Sequence, residues 1–465
     1  MKRFGVGFAV VLSLSLVLAF LTVSPGAAAP DKTAPPAATG ADKTVAPAAT
    51  GADKATPPAA ATAEKTVPPG ATAAAKTILI GFTASKTGKL NVEATRQING
   101  LNLWVEQVNK AGGIQMPDGT KVKVETKYYD DESNKDRVQE LYTRLISSDK
   151  ADFLISPYSS GLADAAAVIA QQYKKIMIAT GASSDSTYKK GYTLVYMTYT
   201  PASRYLTGAV DLLLKLDPKA KKIAIIHEND KFSTDVVNGL KKYAEGKGMQ
   251  VPLYEGYDSG TTDFAPFINK IPAGSDGVMG GGHFADTTTF ARQLYEKKVA
   301  TKMIALLVAP PEPKFAELGE ACISVVGSSQ WEPMAKYAPE AAKTENVEWF
   351  GVTVPEFLKL YEEKYGKEEP SYHSAGGYAA GLILQKAIES AGSIDTEKVK
   401  EAIDKEDMYT FYGRVKFNTG KLHGLQEGHE MIYIQWQKGK DGKPEKVAVY
   451  PPAAATGTAF LCPAR

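Results

Sequence analysis

The chain has 465 residues and nearly balanced charge, 54 Lys and Arg against 52 Asp and Glu, leaving a formal net charge of +2. That balance argues against an electrostatic grip on nucleic acid. Metal-ligand spacing of the CxxC or HExxH kind is absent, as are GxSxG and Walker-type phosphate loops, so no metal, no cofactor and no catalysis are expected.

The first 28 residues read as a secretory signal. Met1-Lys2-Arg3 supplies positive charge, Val6 to Val23 is apolar, and Gly26-Ala27-Ala28-Ala29 offers the small residues of a cleavage site. An uncleaved N-terminal anchor is the alternative, since the apolar run approaches spanning length. No cysteine lies near the cleavage region, so a lipid-anchored form is not expected. Residues 29–76 are rich in Ala, Pro and Thr, and Ala37–Lys43 recurs as Ala48–Lys54. Such composition buries too little apolar surface to offset chain entropy, and it reads as a disordered spacer.

The rest is too long for one typical core, so two domains are expected. Thr77–Phe82 reads as a buried strand. Ile98, Leu101, Val105 and Val108 then share a helical face that closes at Gly112-Gly113. Val122, Val124 and Thr126 alternate as a second strand, and Val138, Leu141, Tyr142 and Leu145 mark a second helix. The strand Phe153–Ile155, an Ala-rich helix over Leu162–Tyr173 and the strand Ile176–Ala179 extend a βαβα order, which predicts a parallel sheet covered by helices on both faces. The alternation restarts with a helix over Pro201–Leu216 and a strand at Ile223–Ile226. It runs through strands near 251–257, 277–279 and 303–308, with helices between them. Helices at 354–365 and 374–391 and a β-rich end, Met431–Ile434 and Val447–Val449, complete the chain.

Two strand ends stand out. The run Phe153–Ile155 stops at Ser156-Pro157-Tyr158-Ser159-Ser160-Gly161, and Ile176–Ala179 stops at Thr180-Gly181-Ala182-Ser183-Ser184. A parallel strand that ends this way presents hydroxyls and free backbone N–H groups at its carboxyl edge, where open α/β sheets bind ligands and a helix N-terminus favours an anion. The plain alternative is that Ser and Gly cap and turn the chain.

The ordered set Ile80-Gly81-Phe82-Thr83, Gly100–Ile114, Tyr129-Asp130-Asp131, Ser159-Ser160, Ala182-Ser183-Ser184, Lys222–Ile226, Asp263-Phe264 and Gly280-Gly281-Gly282 resembles the type I periplasmic solute-binding proteins, in particular the leucine/isoleucine/valine-binding branch of ABC importers. The resemblance implies an α/β fold of two Rossmann-like lobes with parallel central sheets, joined by three crossovers and closing on a solute by hinge motion. Crossovers are expected near Thr198–Pro201, Val326–Pro333 and Arg414–Thr419. One lobe would hold 77–199 plus 332–415, the other 200–331 plus 416–450, with 451–465 as a tail.

The resemblance also implies that Ser159, Ser160, Ala182, Ser183 and Ser184 grip a carboxylate. Neutral donors suit a dry cleft, because a permanently buried cation is costly to desolvate. Where branched-chain binders have a tyrosine after the paired glycines, this chain has His283. Where they have an acidic residue after the next strand, Met303 to Ala309 offers none, which puts an ordinary α-amino acid in doubt. Glu93 could supply that charge, or simply start a helix. Phe232 could cover the ligand, or merely pack, and Tyr158 and Tyr372 are further candidates. Cys322 and Cys462 could form a disulfide in an oxidising compartment.

The expected function is therefore that of a periplasmic, monomeric solute-binding protein. It would capture an amino acid or a related aromatic or aliphatic carboxylate and pass it to ABC permease subunits. The alternative is a sensory binding protein that signals through a partner.

Overall fold

The computed structural model describes residues 76–463; the expected signal and spacer lie outside them. In chain order, the first part runs β1 (Lys76–Ala84), α1 (Asn91–Lys110), β2 (Ile114–Gln115), β3 (Lys121–Asp130), α2 (Lys135–Ser147), β4 (Phe153–Ile155), α3 (Ser160–Gln172), β5 (Met177–Ala179), α4 (Asp185–Tyr188) and β6 (Val195–Met197). These strands form a six-stranded sheet, β2-β3-β1-β4-β5-β6. It is parallel except for the edge strand β2. Strands β4 and β5 are buried along their whole length, which explains why they read as unbroken apolar runs rather than as alternation.

The second part runs α5 (Thr207–Leu216), β7 (Lys222–Glu228), α6 (Lys231–Gly246), β8 (Gln250–Tyr257), α7 (Ala265–Ile268), β9 (Gly277–Gly281), α8 (Phe284–Glu296), β10 (Met303–Leu306) and β11 (Val325–Ser329). The chain then returns to the first sheet's side through α9 (Pro339–Thr344), β12 (Glu348–Trp349), α10 (Val354–Tyr365), α11 (Tyr372–Ala391), α12 (Thr396–Ile403), β13 (Asp407–Thr410) and β14 (Gly413–Lys416), with β12, β13 and β14 forming a small sheet of their own. Finally β15 (Ile432–Lys438) and β16 (Pro444–Tyr450) complete the second sheet, ordered β16-β15-β11-β10-β9-β7-β8. Two wound α/β sheets, each with its own helices, make two lobes. No described helix is long and apolar enough to cross a membrane.

The long helix α11 belongs with the first sheet because it packs on α1, and the packing is tight. Gly377 lies against the backbone of Gln97, and Gly381 against the indole of Trp104.

The helix expected over Pro201–Leu216 is in fact two pieces, a 3-10 turn at Ala202–Arg204 and then α5. The Tyr433 hydroxyl explains the break, accepting from Gly208 N at 2.8 Å and donating to Tyr205 O at 2.9 Å. A partner more than two hundred residues away thus overrides the local periodicity. The cysteines are not joined by a disulfide. Cys322 Sγ instead lies 3.0 Å from Gly319 O, and Ser324 Oγ lies 3.4 Å from Cys462 Sγ.

Where the chain passes from β6 toward α5, His429 sits wholly buried between two segments. It accepts from Thr200 Oγ1 at 2.8 Å, and its Nε2–H donates to Tyr412 O at 3.0 Å. Burial, which opposes the charged ring, holds its pKa down at about 4. A folded-state pKa below that of the unfolded chain means that the unfolded state binds more protons between the two values. The contribution of His429 is thus intact above pH ~6.5 and declines as pH falls toward 4. We expect acid to cost on the order of 3 kcal/mol at this residue over that window. Urea denaturation across the window should show His429→Gln losing less stability on acidification than the parent; equal slopes would refute the assignment.

Candidate functional site

The carboxyl edges of the two sheets face one another, and the loops that leave them enclose a tight cavity of about 10 Å3, room for about one water. Tyr158, Ser159, Ser160, Gly181, Ser183, Tyr199 and Tyr372 line it on the first sheet's side, and Tyr205, Phe232, His283 and Val308 on the other. All of these groups are buried, so the lobes are closed.

On the first lobe, the turn between β4 and α3 does the positioning. Ser159 is the residue before α3, with extended backbone and no capping bond from its side chain. The Ser160 hydroxyl oxygen accepts from the backbone of Ser183 at 3.0 Å and of Ser184 at 3.3 Å. It thereby ties the β5 loop to the start of α3, and its own proton remains to be donated. Gly181 takes φ +69, and a Cβ there would meet Gln97 Oε1 at 2.2 Å and the Tyr158 ring at 2.7 Å. Only glycine lets the loop lie this close. Ala182 and Ser184 point into an adjoining space with Ala163 and Thr187, and the Ser184 hydroxyl donates to Lys231 O across the cleft at 3.3 Å.

On the second lobe, Asp230 caps α6 by accepting from Ser233 N at 2.8 Å and Phe232 N at 3.3 Å. That cap fixes Phe232 at the cavity wall. His283 precedes α8 and anchors there by donating its backbone N–H to Asp286 at 3.0 Å. Its ring spans Tyr158 Oη, 2.8 Å from Nδ1, and Asp230 Oδ2, 3.2 Å from Nε2. Burial pulls the pKa of this imidazole down. The bond to Asp230 and the charges of Asp230, Glu228 and Glu93 outweigh burial and hold it at about 9. The ring is therefore a cation at neutral pH.

Glu93 lies behind the lining rather than in it. From the first turn of α1 it reaches across the cleft and accepts from Phe284 N at 3.0 Å, capping α8 from the opposite lobe. Its other oxygen is buried without a hydrogen bond.

Sequence reasoning missed several groups. Tyr199 and Tyr205 arrive singly from separate loops and carry no local signal. Glu312 lies three residues beyond the stretch that read as lacking an acid. It is wholly buried, with Oε1 2.7 Å from His373 Nδ1 and Oε2 3.8 Å from Arg96. Burial would raise its pKa, but His373 and Arg96 bring it below the ordinary carboxylate range. Reading the chain three residues further would have found it. Glu228, Asp230 and His283, scattered in sequence, also converge on one point.

The sequence model of the family described as periplasmic binding protein matches residues 77–443. The Leu/Ile/Val-binding protein homolog 8 of Brucella abortus is 28% identical over 384 residues, covering 79% of this chain and 89% of that one. Among solved structures, the substrate-binding protein LivJ of a branched-chain amino acid transporter from Streptococcus pneumoniae, in complex with isoleucine, gives a TM-score of 0.65. It is 20% identical and covers 81% of this chain and 100% of that one. An R. palustris ABC-transporter solute-binding protein in complex with benzoate gives 0.66 at 18% identity, covering 81% and 98%. At these identities the structural likeness establishes the fold.

The Ser160 bonds make a direct prediction. Ser160→Ala leaves two buried N–H groups without an acceptor and is expected to lower the unfolding free energy by about 1–3 kcal/mol. Ser159→Ala removes no capping bond and is expected to stay within about 0.5 kcal/mol. Chemical denaturation of both variants checks the contrast.

Proposed function

The chain belongs to the periplasmic binding protein family, and from that premise we propose that it captures an amino acid or related small carboxylate between its lobes for delivery to an ABC permease in the membrane. The observation that carries this reading is the closed cavity, where the Ser159, Ser160 and Ser183 wall of one lobe meets Phe232 and His283 of the other. The seryl hydroxyls and the N-terminus of α3 would take the carboxylate, since both supply donors without adding a buried cation. Aromatic faces of Tyr158, Tyr199, Tyr205, Tyr372 and Phe232 would cover the apolar body of the solute.

Two acids keep an ammonium-bearing solute within the class. Glu93 and Glu312 stand behind the lining, and each has one buried oxygen without a hydrogen bond. The complexes of the structural neighbours with isoleucine and with benzoate mark the same two ligand types. We place the hinge in the segments that pass between the sheets, at 198–201, 330–338 and 427–431. The lobes are proposed as 77–199 with 332–426, and 200–331 with 427–450; the second boundary falls later than the expected 415 because 417–426 pack on β6. We further propose that the protein acts in the periplasm, as a monomer, without covalent change to its solute.

Isothermal titration with leucine, isoleucine, benzoate and 4-hydroxybenzoate tests the proposal. At least one of the four should bind. Ser160→Ala should weaken that ligand roughly tenfold, which corresponds to about 1.4 kcal/mol. Absence of binding to any small carboxylate overturns the reading.

A further inference from the structure

Beyond the place of His283 on the cavity wall, Glu228, Asp230 and His283 converge on one point, and all three come from the second lobe. Glu228 ends β7, Asp230 precedes α6 and His283 precedes α8. One ligand atom from each lies within 4.8 Å of the others, the only such group among the described residues. We propose that these three side chains form a site for a divalent first-row transition cation, with zinc as its best-suited occupant, on the second-lobe wall of the cleft.

The spacing suits such an ion. Donors held 2.0–2.2 Å from a tetrahedral zinc stand about 3.4 Å apart. Here His283 Nε2 is 3.2 Å from Asp230 Oδ2 and 4.0 Å from Glu228 Oε2. An ion entering between them needs only small shifts. One imidazole and two carboxylates also form the kind of mixed N/O set that zinc accepts with a fourth position left open.

The second observation is an orphaned donor. Glu228 is 2% exposed, and its Oε2 has no hydrogen bond. Its partner oxygen is already engaged by Lys89 Nζ at 2.7 Å and by the Ser259 hydroxyl. A buried carboxylate oxygen left bare is costly unless something meets it, and this one faces His283. The backbone is shaped around it: a Cβ on Gly282 would stand 2.6 Å from Oε2 and 2.3 Å from Asp286 Oδ2. Glycine at 282 leaves the carboxylate its place.

The other ring nitrogen is already oriented as metal-binding histidines require. Nδ1 lies 2.8 Å from Tyr158 Oη, so with Nε2 on the ion the Nδ1–H would donate to the phenol and fix the ring. Charge favours a cation here as well: the ion would displace the proton on His283 Nε2 to solvent, leaving a neutral ring, and Glu228, Asp230, Asp286 and Glu93 would then surround the site against Lys89.

The full chain, stripped with a chelator and dialysed against zinc, should hold about one ion per molecule by elemental mass spectrometry. Magnesium, which prefers an all-oxygen octahedron, should not be retained. The double variant Glu228→Gln, His283→Gln should return zinc to background, while Tyr158→Phe should keep the stoichiometry and weaken the affinity by about 10- to 100-fold. Should the double variant fail to fold, the cobalt form of the parent decides, because cobalt held four-coordinate in such a site absorbs in the visible and His283→Gln alone should lose that band. Parent protein without bound zinc, or zinc retained in full by a folded double variant, overturns the assignment. Zinc content is read without any solute present, so failure of the solute proposal and failure of this one are separate results.

Discussion

Closure of this molecule rests on the rule that a charge removed from water must be met by another group. The cleft holds three buried acids that each find a partner across it. Glu312 of the second lobe meets His373 and Arg96 of the first. Glu228 meets Lys89 from the β1–α1 loop, and Glu93 crosses the other way to cap α8. Each of them gains a bond from the opposite lobe that its own lobe does not supply. In an open form they would face water, which screens them well, and in the closed form they have each other. Exchanging solvation for pairing at several points leaves only a small net difference between the two arrangements.

Much of the fold was legible because its signals are local. Val138, Leu141, Tyr142 and Leu145 do form the buried stripe of α2. Phe153–Ile155 is a strand with both faces covered. The signals that failed were tertiary. Strand β6 is three residues long and is held in the sheet by β5 on one side, with Gly424 O accepting from Met197 N at 2.8 Å. Strand β11 ends in Gly327-Ser328-Ser329, which resembles a turn, yet it pairs with β10 and β15. Composition cannot show a strand made by its neighbours.

The candidate site divides the same way. Its serines were visible because two strand ends repeat one pattern, and Ser160 proves to be the knot between them. Its aromatics were not, since Tyr199 and Tyr205 are separated by a crossover and Tyr372 begins a helix far downstream. A cavity assembled from single residues on many loops leaves no spacing to read.

His283 joins these threads. Its buried imidazole carries a charge there because Asp230 meets it, whereas the equally buried imidazole of His429, with no carboxylate beside it, stays neutral. Asp230, already committed to capping α6, supplies the compensation, so the α6 cap and the cleft wall share one carboxylate. Tyr158 then couples that carboxylate to the serine-bearing turn of the first lobe through the ring. His283 thus forms an electrostatic junction between helix cap, cleft and opposite lobe.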